Sequence, residues 1–171
     1  MKRFVLAASA AVAVLATAGA QAQDFTFSGG YERADFDGVE LDTVVLRGSY
    51  FFNENFGVEG QLNFGVNDES VTVGTVTADV DMDYGFGAFG VYRFPASDNF
   101  NFFARAGYLH AELEASVANF SVSDDDGAFA AGIGAEWMFD DRNGVRFDYT
   151  YADYDNEANF YGISYVRRFG G

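Results

Sequence analysis

One pattern governs this chain: apolar and polar residues alternate with a period of two, segment after segment. In residues 56–67 the even positions carry Phe56, Val58, Leu62, Phe64 and Val66, and the odd positions carry Glu59, Gln61, Asn63 and Asn67. That is a strand with two unlike faces. The split recurs at 129–139, where Phe129, Ile133, Trp137 and Phe139 oppose Gly132, Gly134 and Glu136, and at 145–151, where Phe147 and Tyr149 oppose Arg146 and Asp148. Weaker copies lie at 25–35 (Phe27, Tyr31 against Ser28, Glu32), 41–52 (Val44, Leu46, Tyr50, Phe52 against Thr43, Arg47, Ser49) and 80–94 (Tyr84, Phe86, Tyr92, Phe94 against Asp83, Gly85, Arg93). Segments 100–112 (Phe102, Tyr108 against Asn101, Arg105) and 159–169 (Tyr161, Ile163, Tyr165, Phe169 against Gly162, Ser164, Arg168) bring the count to eight strands. Nothing here needs a helix.

The connections alternate in length. Residues 53–55, 95–99 and 140–143 are short and rich in Asn, Asp and Pro, as tight turns require. Between them lie 37–40, a stretch of about a dozen residues at 68–79, one of about fifteen at 112–126, and 153–158. Short turns at one end and longer loops at the other describe an up-and-down order whose termini meet at the short-turn end. This is the arrangement of outer-membrane barrels, with periplasmic turns and external loops.

The first segment is not part of that pattern. Lys2-Arg3, an apolar run from Phe4 to Ala18, and Ala20-Gln21-Ala22 read as the basic, hydrophobic and small-residue parts of a secretory signal. The run is too short to span a bilayer as a helix. Cleavage after Ala22 places a signal peptide at 1–22 and one domain at 23–171, exported through the Sec pathway. The mature chain then has no lysine, and loss of Lys2 and Arg3 takes the net charge from −16 to −18.

Composition narrows the class. Of 171 residues 18% are aromatic, yet the mean hydropathy is −0.05, too apolar for a disordered acidic chain and too polar for stacked membrane helices. With no cysteine, thiolate metal sites and disulfides are excluded, and the strong acidity argues against nucleic acid. No cofactor and no metal site is expected.

Which face points outward decides the rest. A soluble barrel would put the aromatic face inside and needs a densely charged exterior. The second face here is instead mostly Gly, Ala, Ser, Thr and Asn. Turning Arg47, Arg105 and Arg146 toward lipid would cost roughly 2–4 kcal/mol each. The register that remains points the aromatic girdle of Phe27, Tyr31, Tyr50, Phe52, Phe56, Phe64, Tyr84, Tyr92, Phe94, Phe102, Tyr108, Trp137, Phe139, Phe147, Tyr149 and Tyr165 at lipid. Glu32, Arg47, Glu59, Arg105, Glu136, Arg146 and Asp148 then collect in the lumen. The fold class is all-β, an eight-stranded antiparallel up-and-down transmembrane β-barrel.

With the leader, the strand count, the loop alternation and the last strand Tyr161-Gly162-Ile163-Ser164-Tyr165-Val166-Arg167-Arg168-Phe169, the chain resembles the small outer-membrane barrels of the OmpX and OmpA-transmembrane type, including opacity-protein-like surface antigens. The resemblance implies an assembly signal at Tyr165 and Phe169, read by the barrel-assembly machinery. Phe169 is followed by Gly170-Gly171 and Arg167 interrupts the outward row, both departures from the usual terminus.

Three features point to function. The buried charges persist only when paired, which makes them an ionic plug, with a narrow gated pore as the alternative. The loop stretches 70–77 and 116–123 keep strand character, so a sheet rising above the membrane could recruit a partner strand, as the resemblance implies. Seventeen of the 26 acids crowd the external end, including Asp68, Asp79 and Asp124-Asp125-Asp126; the plain reading is a hydrated acidic surface, and contact with lipopolysaccharide would need bridging divalent cations. An enzyme that modifies lipid A is the remaining reading, using His110 beside Glu112. A hydrolase also needs a nucleophile, and Glu112 stands where the deacylating barrels place a serine.

Overall fold

The computed structural model describes residues 24–36, 39–66, 69–73, 76–117, 120–154 and 157–170, with the side chains at 69–83 and 111–126 outside the description. The leader expected over 1–22 lies outside the described residues. Nine strand segments follow in order: β1 (Asp24–Phe36), β2 (Val39–Phe51), β3 (Phe56–Gly65), β4 (Glu69–Val73), β5 (Val76–Ser97), β6 (Phe100–Val117), β7 (Phe120–Met138), β8 (Asn143–Asp153) and β9 (Glu157–Phe169). Every pairing is antiparallel. The sheet runs β3-β2-β1-β9-β8-β7-β6-β5-β4, and a further β3–β5 ladder closes it. Both β3 (Phe64↔Tyr84) and β4 (Glu69↔Val80) pair with β5. They are two stretches of one stave, so the closed wall has eight. Closure leaves no strand edge toward lipid, as a membrane interior demands.

Local chemistry explains the short turns. Asn53 Oδ1 accepts the backbone N–H groups of Asn55 (2.9 Å) and Phe56 (2.8 Å). Asp140 Oδ1 accepts those of Arg142 (2.8 Å) and Asn143 (2.7 Å), and the Asn143 amide donates to the same carboxylate. These bonds, the Asn143 side chain's first, hold the Asp140 carboxyl below the usual carboxylate range. At 95–99 the turn is tighter than the sequence implies. β5 continues through Pro95 to Ser97 with a register irregularity between those two residues, and only 98–99 form the turn. Proline has no N–H to donate, so such an irregular strand end accommodates it.

The two long external connections carry the strand character read from 70–77 and 116–123, and the described residues there are paired. The β4–β5 ladder reaches Val73↔Val76, and the β6–β7 ladder reaches Val117↔Phe120. β5, β6 and β7 have 22, 18 and 19 residues, whereas a spanning strand needs about 9–11. The excess continues the wall as a four-strand sheet on the long-loop side, about 25 Å tall at 3.3 Å per residue.

Alternation sorts the side chains. Phe27, Tyr31, Phe52, Phe56, Phe64, Phe94, Phe102, Tyr108, Trp137, Phe139, Phe147, Tyr149 and Tyr165 are exposed on the outer surface. Tyr50, Tyr84 and Tyr92 are half-buried, with Tyr50 against Phe52 and Tyr92 against Phe56 and Phe94 in edge-to-face contacts. The inner face departs from a lining of small and polar residues alone. Phe51, Phe89, Val91, Phe103, Leu109 and Phe160 are buried there in one cluster with Ala34, Ala128, Ala130, Ala152 and Ala158. Eight staves enclose a lumen that side chains must fill, and small residues by themselves leave voids.

Ile133 stands on the outer face of β7 with 64% exposure, midway between Phe129 and Trp137. Ile133→Arg puts a charge near the lipid midplane and is expected to cost about 2–4 kcal/mol. Thr150→Val, inside the barrel, leaves that lipid contact untouched. Urea unfolding of the barrel in lipid vesicles checks the first figure; a neutral Ile133→Arg would mean that this face does not meet acyl chains.

Candidate functional site

The lumen is built by strands that present one polar side chain every second residue. β1 contributes Glu32, β2 Arg47 and Ser49, β3 Glu59, Gln61 and Asn63, β6 Arg105, and β8 Arg146, Asp148 and Thr150. All are buried. Glu59 is the hub. Its Oε1 accepts from Arg105 Nη1 (2.8 Å) and Arg146 Nη2 (3.2 Å), and its Oε2 from Arg146 Nη1 (2.6 Å) and the Ser49 hydroxyl (2.8 Å). Asp148 is the second. It accepts from Arg47 Nη2 (3.0 Å), Arg105 Nη2 (3.5 Å) and Arg146 Nε (3.1 Å). Glu32 pairs with Arg47 Nη2 and accepts from the Asn63 amide (2.6 Å).

Three guanidinium groups thus face three carboxylates. The remaining donors also find acceptors. Arg47 Nε donates to Gln61 Oε1 (2.9 Å) and Arg47 Nη1 to the Ser164 hydroxyl (3.2 Å). Arg105 donates to Thr150 Oγ1 from Nε (3.1 Å) and Nη2 (2.5 Å), and to Gln61 Oε1 (2.7 Å). Satisfaction of this kind is what lets buried charge persist at all. The side chains of Arg47, Arg105, Glu32, Glu59 and Asp148 are 0% exposed.

Two glycines make the space. A Cβ at Gly132 would lie 2.6 Å from the Thr150 hydroxyl oxygen and 3.2 Å from Arg105 Nε, and one at Gly162 would lie 2.9 Å from Asp148 Oδ2. Gly132 is the cross-strand neighbour of Arg105, and Gly162 that of both Asp148 and Glu32. The small residues of the inner face are therefore the complement of its large charged ones.

Glu136 stands apart from the six. It is the direct cross-strand neighbour of Arg146, yet the closest approach is 3.9 Å because Arg146 is drawn to Glu59 and Asp148. Its other neighbour is Arg168, at 3.7 Å.

The sequence reading left several lumen partners out. Arg93 and Arg168 also face inward at the short-turn end; both sit on the polar parity of their strands, and that position is the signal. Three inward phenylalanines carry arginines on their rings: Arg93 lies 3.6 Å from the Phe51 centroid, Arg105 4.4 Å from Phe89 and Arg146 4.1 Å from Phe103. The doublets Phe51-Phe52 and Phe102-Phe103 announce two of them, since one member of an adjacent pair on a strand must point in.

Residues outside the lumen are placed as follows. His110 is half-buried on the outer face, its ring 4.9 Å from that of Phe86. Ser116 lies six residues further along β6, about 20 Å away along the strand, and the Glu112 and Ser116 side chains are outside the description. The acids at 68–83 and 112–126 are likewise outside the described side chains. Tyr165 is exposed and its hydroxyl donates to Asn143 Oδ1. Phe169 lies on the outer surface 6.0 Å from the Phe25 ring, with the Arg167 guanidinium 5.5 Å from its centroid. Arg167 is itself exposed.

A closed eight-stave wall, aromatic outside and ionic within, is the construction of a small transmembrane barrel. The chain belongs to the outer membrane protein beta-barrel domain family, whose sequence profile matches residues 4–169, and its place is the outer membrane of a Gram-negative cell. Similar folds include OprG of Pseudomonas aeruginosa (TM-score 0.70, 15% identity, 90% of this chain and 99% of that one) and Ail of Yersinia pestis (0.64, 20%, 87% and 100%). Neisserial surface protein A is a third (0.56, 10%, 86% and 96%). Identities this low define the fold alone. No curated protein matches the sequence significantly.

Removing one member of the network leaves its partners buried with surplus charge. Glu59→Gln is expected to lower the unfolding free energy by about 3–5 kcal/mol, measured by urea titration in micelles. Glu59→Gln combined with Arg105→Gln should lose less than the two single losses together; strict additivity would dissolve the network.

Proposed function

We propose that this barrel conducts no solute and catalyses no reaction, and that it acts as a surface protein whose lumen is a packed ionic core and whose external sheet makes the contacts. The observation that carries the first half is the complete burial of five charged lumen side chains. An aqueous path wide enough for an ion would wet at least some of them. The balance of three cations and three anions, four of which also have neutral hydrogen-bond partners, further favours a plug over a conduit. Against catalysis stand the position of His110 against Phe86 and the distance along β6 to Ser116; no serine stands beside the histidine among the described side chains.

The second half rests on where the ladders end. β7 pairs with β8 only from Phe129 onward, so among the described residues the only ladder of its stretch 120–126 is with β6, and that of β4 is with β5. Each edge ends the described ladder on the long-loop side, the geometry that a partner strand extends. The Ail structure in complex with the heparin analogue sucrose octasulfate concerns a polyanion. In this chain the acids of the external end would repel one, and contact with lipopolysaccharide would run through divalent cations. On the same reading residues 1–22 are a leader removed on export, and the strand ending in Tyr165 and Phe169 is what the barrel-assembly machinery receives.

Purified protein in planar bilayers should give no stepwise current at any holding potential; regular unitary steps would replace the plug with a pore. Deletion of residues 70–77 together with 116–123 should abolish adhesion of the cells to surfaces and host matrix. The deleted barrel should keep its heat-modifiable gel mobility, and unchanged adhesion would remove the sheet from the function.

A further inference from the structure

The short-turn end of the barrel is not sealed like the middle. A cavity of about 670 Å³ opens there, lined among others by Arg93, Asn101 and Arg168 and by the carboxylates of Glu54 and Asp98. By the rule that short turns face the periplasm, this is a periplasmic vestibule. It holds two guanidinium groups. Arg93 is pinned over the Phe51 ring, and its backbone is fixed by Asn55, which donates from Nδ2 to the Arg93 carbonyl (2.9 Å) and whose own carbonyl accepts the Arg93 N–H (2.7 Å).

Arg168 is the under-used group. Its Nε and Nη2 are shielded from solvent and make no hydrogen bond among the described residues. Its nearest carboxylate, Glu136, stays at 3.7 Å, beyond hydrogen-bond reach. The side chain as a whole is nevertheless 17% exposed and lines the cavity, so a small turn of the guanidinium presents these donors to an anion entering from the periplasm. Shielded guanidinium donors left without acceptors are costly, and the inner network cannot supply one because its three carboxylates are engaged with Arg47, Arg105 and Arg146. Asn101 adds an amide, while the Ser97 hydroxyl already donates to Asn99 Oδ1 (3.0 Å). We propose that the vestibule is an oxyanion-binding site, for a phosphate or phosphate ester presented from the periplasmic side, with Arg168 as its principal ligand and Arg93 as a fixed second charge.

The geometry makes Glu136 the internal competitor for Arg168. Neutralising it strengthens the site instead of weakening it. Arg167, the next residue, points outward and supplies an internal control with the same charge.

The test uses the full barrel folded in detergent micelles, with inorganic phosphate as the probe and phosphorus NMR as the readout. The parent protein should bind one phosphate per barrel. Arg168→Gln should weaken binding about tenfold, the worth of one charged hydrogen bond, and Arg167→Gln should leave it unchanged. Glu136→Gln should tighten binding several-fold, a gain that no loss of folding can mimic. Heat-modifiable gel mobility confirms that each variant is folded. Adding phosphatidylglycerol to the micelles separates the sources: displacement of bound phosphate identifies a lipid headgroup as the natural occupant, and no displacement identifies a soluble ester. Equal affinity in Arg168→Gln and the parent, an equal loss in Arg167→Gln, or no gain in Glu136→Gln would each overturn the site.

Discussion

Everything in this barrel depends on where its arginines can go. A guanidinium facing lipid is expensive, and one facing a narrow lumen is equally so unless carboxylates and neutral acceptors surround it. The lumen meets that condition for Arg47, Arg105 and Arg146 by drawing Glu32 from β1, Glu59 from β3 and Asp148 from β8. None of these three carboxylates sits on an adjacent strand directly opposite the arginines it holds. Glu59 with Arg105 and Arg146, and Asp148 with Arg47 and Arg105, therefore tie strands that share no ladder, while Glu32–Arg47 joins the neighbours β1 and β2 off their register; together they fix the stagger of the wall. A one-residue slip of any stave would send its charges to lipid and its aromatics into the network.

The same fact marks the limit of what a sequence discloses. Alternation in 56–67 and 129–139 reads directly as two-faced strands, and the parity of Arg47, Glu59 and Asp148 places them inside without any structure. Cross-strand neighbours are legible in principle, and Glu136 with Arg146 is such a pair. It is also the weakest contact that Arg146 makes. Contacts across the axis depend on strand tilt and shear, which are global properties of the closed ring, so the Glu59 hub and the vestibule around Arg168 were not readable from spacing. The inward Phe89 was hidden for a different reason: Gly87 and Gly90 around it carry no facial signal. The strand character of 70–77 and 116–123 was legible in their alternation, and the ladder there continues through 69–73 and 76–83 because each new backbone pair extends one already formed.

Inside and outside also use aromatic rings differently. On the lipid face the rings of Tyr92, Phe94, Trp137 and Phe139 stack edge to face among themselves, where their area is the contribution. In the lumen Phe51, Phe89 and Phe103 each lie under a guanidinium. A ring there fills volume that small residues leave open, and its face stabilises a cation without consuming a carboxylate. This explains how a lumen with five inward arginines, counting Arg93 and Arg168, is tolerated beside four inward acids. The surplus positive charge is not spread evenly. It falls at the periplasmic mouth, where Arg168 meets the weakest counter-charge, while the acids of the chain crowd the opposite end. The barrel thus differs along its axis: the charges of the middle are buried and paired, while Arg93 and Arg168 at the short-turn end share a cavity with Glu54 and Asp98.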